Sequence, residues 1–157
     1  MLKTALLRIT LALVALLTAC ARPVPSPSQP QPLPSPAADW SVSMTQSGGF
    51  AGIHLTVEVS SDGRLKAEDR RSGRTVTQVV PPATLARLAQ LYSGLSLVTP
   101  TAPRSGCADC FNYDLQANGG GKVVQVQADD TTLTDSGAAE LISLLQQLRD
   151  AALRSQP

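Results

Sequence analysis

The sequence contains a single histidine, His54. With one imidazole, His-x-x-x-His zinc pairs and most multi-histidine metal sites are impossible. A Ser-His-Asp triad would have to use His54, which sits in an alternating strand pattern with nothing to mark it as a general base, so it reads as a solvent-facing strand residue. An excess of one charge is also missing. Setting aside Lys3 and Arg8, which belong to the N-terminal segment discussed below, 11 of the 13 basic side chains remain against 12 acidic ones. That balance argues against a nucleic-acid partner. The only basic cluster, Arg70, Arg71 and Arg74, lies beside Glu68 and Asp69 around a glycine and reads as a solvated turn. No glycine-rich phosphate loop is present, since Gly119–Gly121 links two strand patterns and opens no helix. Asp129 and Asp130 are adjacent carboxylates in a turn, and without a pocket around them they read as a solvated acidic corner before a metal or partner contact. No catalytic residue, metal or cofactor is expected, and the protein is read as a non-enzyme.

The chain also lacks a hydrophobic run long enough to span a membrane. Its longest, Ile9 to Leu17, follows Lys3 and Arg8 and ends in small residues, the pattern of a signal peptide over residues 1–19. Leu17-Thr18-Ala19-Cys20 resembles the bacterial lipobox, in which the Cys20 thiol takes a diacylglyceryl group and becomes N-terminal after cleavage. The alternative is an ordinary secretory signal with an incidental cysteine. Each buried methylene of an acyl chain such as palmitate contributes about 0.8 kcal/mol, so two or more chains make a stable anchor. Residues 20–38 then form the anchor cysteine and a linker, with Pro23, Pro25, Pro27, Pro30, Pro32, Pro34 and Pro36 among small polar residues. Such a segment builds no core and favours extended polyproline II, reaching at most roughly 55 Å at ~3.1 Å per residue. The expected location is the cell membrane or outer membrane, lipid-anchored, with the folded domain outside the cytoplasm.

Residues 39–157 form one domain of ordinary size. Trp40, Val42 and Met44 alternate with Ser41, Ser43 and Thr45 as a first strand. A second is expected over 52–60, a short third over Arg64–Glu68 after the Ser61-Asp62-Gly63 turn, and a fourth over Thr75–Val80. Pro81 and Pro82 end that strand, and residues 82–93 read as a helix with Leu85, Leu88, Leu91 and Tyr92 on one face and Gly94 closing it. A loop over 95–106 carries Pro100 and Pro103. Phe111, Tyr113, Leu115 and Ala117 alternate in the next strand, and Asn118 with three glycines connects it to a partner with Val124, Val126 and Ala128 inward. A closing amphipathic helix is expected over 135–153, with Leu141, Leu144, Leu145 and Leu148 on or beside its buried face. The fold class is α+β, an antiparallel β-sheet with two α-helices packed on one face.

Residues 47–60 organise this pattern. Ile53, Leu55, Val57 and Val59 alternate with His54, Thr56, Glu58 and Ser60, the period of a half-buried strand. Before them, Gly48, Gly49 and Gly52 surround Phe50 and Ala51, and glycine permits the sharp turn this requires. Two readings of Phe50 stand. On physical grounds alone it folds back as a core residue and the glycines only make a hairpin, which is the favoured of the two; otherwise the loop presents Phe50 and Ile53 to a partner.

Gly48-Gly49-Phe50-Ala51-Gly52-Ile53 followed by an alternating strand resembles the opening hairpin of the emfourin family, small bacterial inhibitors of thermolysin-type zinc metalloproteases. Ala108-Asp109 with Tyr113-Asp114-Leu115, the acidic turn at Asp129-Asp130 and the Leu-rich closing helix are similar to later parts of that family, so the resemblance spans about residues 40–150. It implies that the glycine loop is the protein-binding element: Gly48, Gly49, Phe50, Ala51, Gly52 and Ile53. The physical mechanism expected for such an inhibitor is cleft occlusion, with Phe50 or Ile53 filling the apolar pocket that thermolysin-like enzymes present just after the scissile bond, and no ligand donated to the enzyme's zinc. The lipoprotein signal and the cysteine pair depart from the family's usual pattern. The expected partner is a metalloprotease, or another envelope protein if the chain is an accessory lipoprotein, and a monomer is expected.

Cys107 and Cys110 are the remaining reactive pair. In an exported protein two nearby cysteines form a disulfide, here worth only ~2 kcal/mol because the closed loop is short. A redox site would place the motif at a helix N-terminus, whereas this one precedes a strand and carries Asp109, which disfavours a thiolate. A zinc site would lack two of its ligands. The disulfide is therefore expected to stiffen the start of the following strand.

Overall fold

The computed structural model describes residues 39–95 and 106–155. The signal peptide, Cys20, the proline-rich linker and the loop prolines Pro100 and Pro103 lie outside the described residues. Within them, six strands form one antiparallel sheet: β1 (Trp40–Gly48), β2 (Ile53–Ser60), β3 (Arg64–Asp69), β4 (Arg74–Val79), β5 (Phe111–Gly119) and β6 (Lys122–Asp129). Their spatial order is β4-β3-β2-β1-β5-β6, so β1 lies between the two hairpins. Two helices complete the domain, α1 (Pro82–Gly94) and α2 (Ala139–Arg154). This is the α+β sheet-and-helix arrangement expected from the residue pattern.

The alternation along the strands decides which face is covered. Trp40, Val42 and Met44 on β1, Val57 and Val59 on β2, Leu65 and Ala67 on β3, and Tyr113, Leu115 and Ala117 on β5 are all buried. They join Leu88 of α1 and Leu141, Ile142 and Leu145 of α2 in a single core. Ser41, Ser43 and Thr45, one residue out of phase, are only half-buried. Each fully buried aliphatic side chain contributes roughly 1.5–3 kcal/mol, which is why a one-residue slip of any strand would be penalised along its whole length. Trp40 also stacks on Tyr92 of α1, with ring centroids 5.5 Å apart, and Arg87 of α1 pairs with Glu140 of α2.

Strand ends shift by a residue in β3 and β4, and three other boundaries differ from the sequence expectation for local reasons. The closing helix starts at Ala139, not at 135, because Leu133–Ser136 forms a separate 3-10 turn and Gly137 takes a left-handed conformation with φ 70°. Gly94 stays helical and α1 ends through Leu95, whose N–H bonds to the Tyr92 carbonyl. The strand after the first hairpin begins at Ile53 because Gly52 has φ 58° and belongs to the turn. No helix among the described residues is long and apolar enough to cross a membrane.

Candidate functional site

The antiparallel order brings four chain segments to one end of the sheet. β1 ends there at Gly48 opposite both Ile53 and Phe111, β3 meets β4 there at Asp69 and Arg74, and Asp129 of β6 lies opposite Asn112 of β5. The loop Gly49–Gly52 stands in the middle. Gly48, Gly49 and Gly52 all have positive φ, and the Gly52 N–H closes a turn on the Gly49 carbonyl at 3.0 Å.

At the tip of that turn Phe50 is 98% exposed. The core-packing reading of Phe50 is therefore overturned: the ring lies in solvent, and the core is filled by residues of the strands and helices. Ala51 and Gly52 are exposed as well, while Ile53 is half-buried at the base of the loop. A solvated phenylalanine of this extent has no stabilising role in the isolated fold.

The loop is held from both sides. On the β5 side, the Gly49 N–H donates to the Cys110 carbonyl at 3.1 Å. A Cβ at Gly49 would lie 2.3 Å from the Phe111 ring, and one at Gly48 would lie 2.7 Å from the Cys110 carbonyl. Glycine is thus needed here for close approach as well as for φ. Cys107 and Cys110 are joined in a disulfide, as expected from their spacing. On the β3 side, Arg71 Nη1 donates to the Ala51 carbonyl at 3.0 Å, and the Arg70 N–H donates to the His54 carbonyl at 3.0 Å. The arginine turn was expected to be merely solvated; it is exposed, yet it braces the glycine loop. Asp69 fixes the turn, accepting from the Ser72 hydroxyl at 2.8 Å and the Arg71 N–H at 2.9 Å, and the Ser72 bond is the main reason its carboxyl titrates below the usual value.

Underneath lies a polar layer that sequence reasoning did not identify. Asp130 accepts from the Phe111 N–H and from the Tyr113 hydroxyl, each at 2.8 Å. Burial first, and the Asp130 carboxylate second, push the Tyr113 phenol up to about 12. Asp129, expected to be solvated, is 1% exposed. Its Oδ1 accepts from the Thr131 N–H and hydroxyl and from the Thr132 N–H, at 2.6–3.1 Å. It turns inward because those donors replace water. Arg149 of α2 is also buried and donates to Gln46 Oε1 at 2.8 Å and to Asp150 at 2.8 Å. Its position one turn beyond Leu145, on the apolar stripe of α2, was the available signal.

His54 is half-buried on β2 opposite Ser47. Among the described residues no group of three or more His, Cys, Asp or Glu side chains is placed to hold a metal ion. A shallow depression lined by Asp39, Ser60, Asp62 and Asn118 lies at the opposite end of the sheet, and its side chains include neither a histidine nor a cysteine. Set against models of known families, the chain matches the one described as Emfourin over residues 44–149, a span that contains the glycine loop, the disulfide and most of both helices. No curated protein matches it.

Proposed function

This chain belongs to the emfourin family, and from that premise we propose that it is a protein inhibitor of a thermolysin-type zinc metalloprotease that occludes the enzyme's cleft with the Gly49–Gly52 loop. The observation that carries the reading is Phe50, 98% exposed at the tip of a loop fixed from two sides. A free aromatic ring held in one place is costly to keep in water and favourable to bury. Moving it into an apolar pocket contributes roughly 1.5–3 kcal/mol, and because the loop is already ordered, little conformational entropy is lost on docking. The inhibitor supplies no nucleophile, base or zinc ligand; it acts by filling space that a substrate side chain would occupy.

In the same reading, Cys20 carries the lipid anchor and residues 21–38 are the tether. The tether joins the domain just before β1, and the glycine loop follows β1, nine residues further on, about 30 Å at 3.3 Å per residue.

The test is incubation of the purified protein with a panel of metalloproteases and with serine proteases. Dose-dependent inhibition of at least one thermolysin-type enzyme, with the inhibitor chain left intact, is expected. Absence of inhibition across the panel, or steady cleavage of the chain at the glycine loop, would overturn the reading.

A further inference from the structure

The glycine loop is the central one of three and touches both of the others. Because the strand order is β4-β3-β2-β1-β5-β6, the Arg70–Gly73 turn flanks it on one side and the Cys107–Cys110 loop on the other. The contacts are direct, through Arg71 to the Ala51 carbonyl at 3.0 Å and through the Gly49 N–H to the Cys110 carbonyl at 3.1 Å. Charge is ordered across this end. Arg70 and Arg71 are exposed on the first flank, and Asp109 is exposed on the second, at the turn of the disulfide loop. Phe50 and Ala51 stand between them, exposed and uncharged. Asp130, exposed on the same flank as Asp109, adds to its negative charge while accepting from Phe111 and Tyr113.

Resting on the inhibitor reading above, we propose that the docking surface is this whole three-loop tip and that it selects its target by charge. The partner is a metalloprotease whose cleft offers an apolar pocket for Phe50 between an acidic rim, facing Arg70 and Arg71, and a basic rim, facing Asp109. Two features of the tip favour this arrangement. The flanking loops are stiff, one closed by the Cys107–Cys110 disulfide and the other by Asp69 bonding to Ser72 and to the Arg71 N–H, so both reach a partner without an ordering cost. Their charges are solvated at the margin of an apolar centre, the position from which charges govern encounter and discrimination more than final affinity.

The experiment measures association rates of the full-length protein with a metalloprotease that the wild type inhibits, at low salt and at about 0.5 M salt, where the screening length is roughly 4 Å. Asp109→Lys and Arg70→Glu are compared with Lys66→Glu, an exposed charge reversal in the middle of β3. Both tip variants are expected to melt like the wild type and to associate about five- to tenfold more slowly at low salt, with the difference vanishing at high salt, while Lys66→Glu associates normally. Wild-type rates in either tip variant, or an equal loss in Lys66→Glu, would overturn the charge-ordered tip while leaving the inhibitor reading intact. Failure of the wild type to inhibit any metalloprotease would remove both.

Discussion

Gly49 and Gly52 make the same conformational demand, with φ of 69° and 58°, but they differ in what surrounds them. A Cβ at Gly49 would strike the Phe111 ring at 2.3 Å, whereas one at Gly52 meets nothing within 4 Å. Gly52→Ala should therefore cost only the left-handed backbone term, about 1–2 kcal/mol. Gly49→Ala should cost about 1–3 kcal/mol more, because Phe111 must be displaced, and it should weaken inhibition by moving the loop. Urea unfolding of the two variants, read against each other, checks the difference. Tyr113 supplies a pH signature. Its folded-state pKa is raised to about 12 by burial and by Asp130, above the unfolded value near 10. The stabilisation linked to its protonated form is therefore complete below about pH 10 and is lost as pH rises through about 12. Melting temperatures from pH 9 to 12 should fall more steeply in the wild type than in Tyr113→Phe. At this scale the sequence was least informative. Asp129 and Asp130 look alike in an Asp-Asp-Thr-Thr stretch, and only the pairing of β6 with β5 decides that Asp129 bonds to the following threonines while Asp130 reaches Phe111 and Tyr113.

At the scale of elements, strands were legible because one buried face writes a period of two into the residues. Trp40-Val42-Met44 and Tyr113-Leu115-Ala117 could hardly be anything else. The start of α2 was not legible, since the apolar periodicity runs back through residues that form a 3-10 turn, and the break rests on one glycine, Gly137. The burial of Arg149 was signalled by its place on the apolar stripe of α2, but its acceptor Gln46, 103 residues away in sequence, was not legible. The disulfide element changes meaning between the two views. From spacing alone it only stiffens the start of a strand, but its Cys110 carbonyl also receives the Gly49 N–H, so it is part of the loop's support. Cys107→Ser/Cys110→Ser should lower stability by at most about 2 kcal/mol while weakening inhibition about three- to tenfold, equivalent to roughly 0.7–1.4 kcal/mol. Paired melting and inhibition assays decide this: unchanged inhibition would confine the bond to a local structural role.

For the molecule as a whole, the proposed division of labour is between an N-terminal lipid anchor and a folded domain that offers the Phe50 loop to a partner. Cys20→Ser should abolish labelling by a fatty-acid analogue and release the protein or block its processing; equal labelling of the variant would remove Cys20 as the acylation site. The inhibitor account itself depends on Phe50 serving a partner and not the fold. The most direct measurement is the melting temperature and the inhibition constant of one Phe50→Asp preparation against a metalloprotease sensitive to the wild type. The account predicts nearly unchanged melting, because the ring is 98% exposed, and inhibition weakened at least about tenfold, a loss of ~1.4 kcal/mol. A folded Phe50→Asp variant that inhibits as well as the wild type would contradict it.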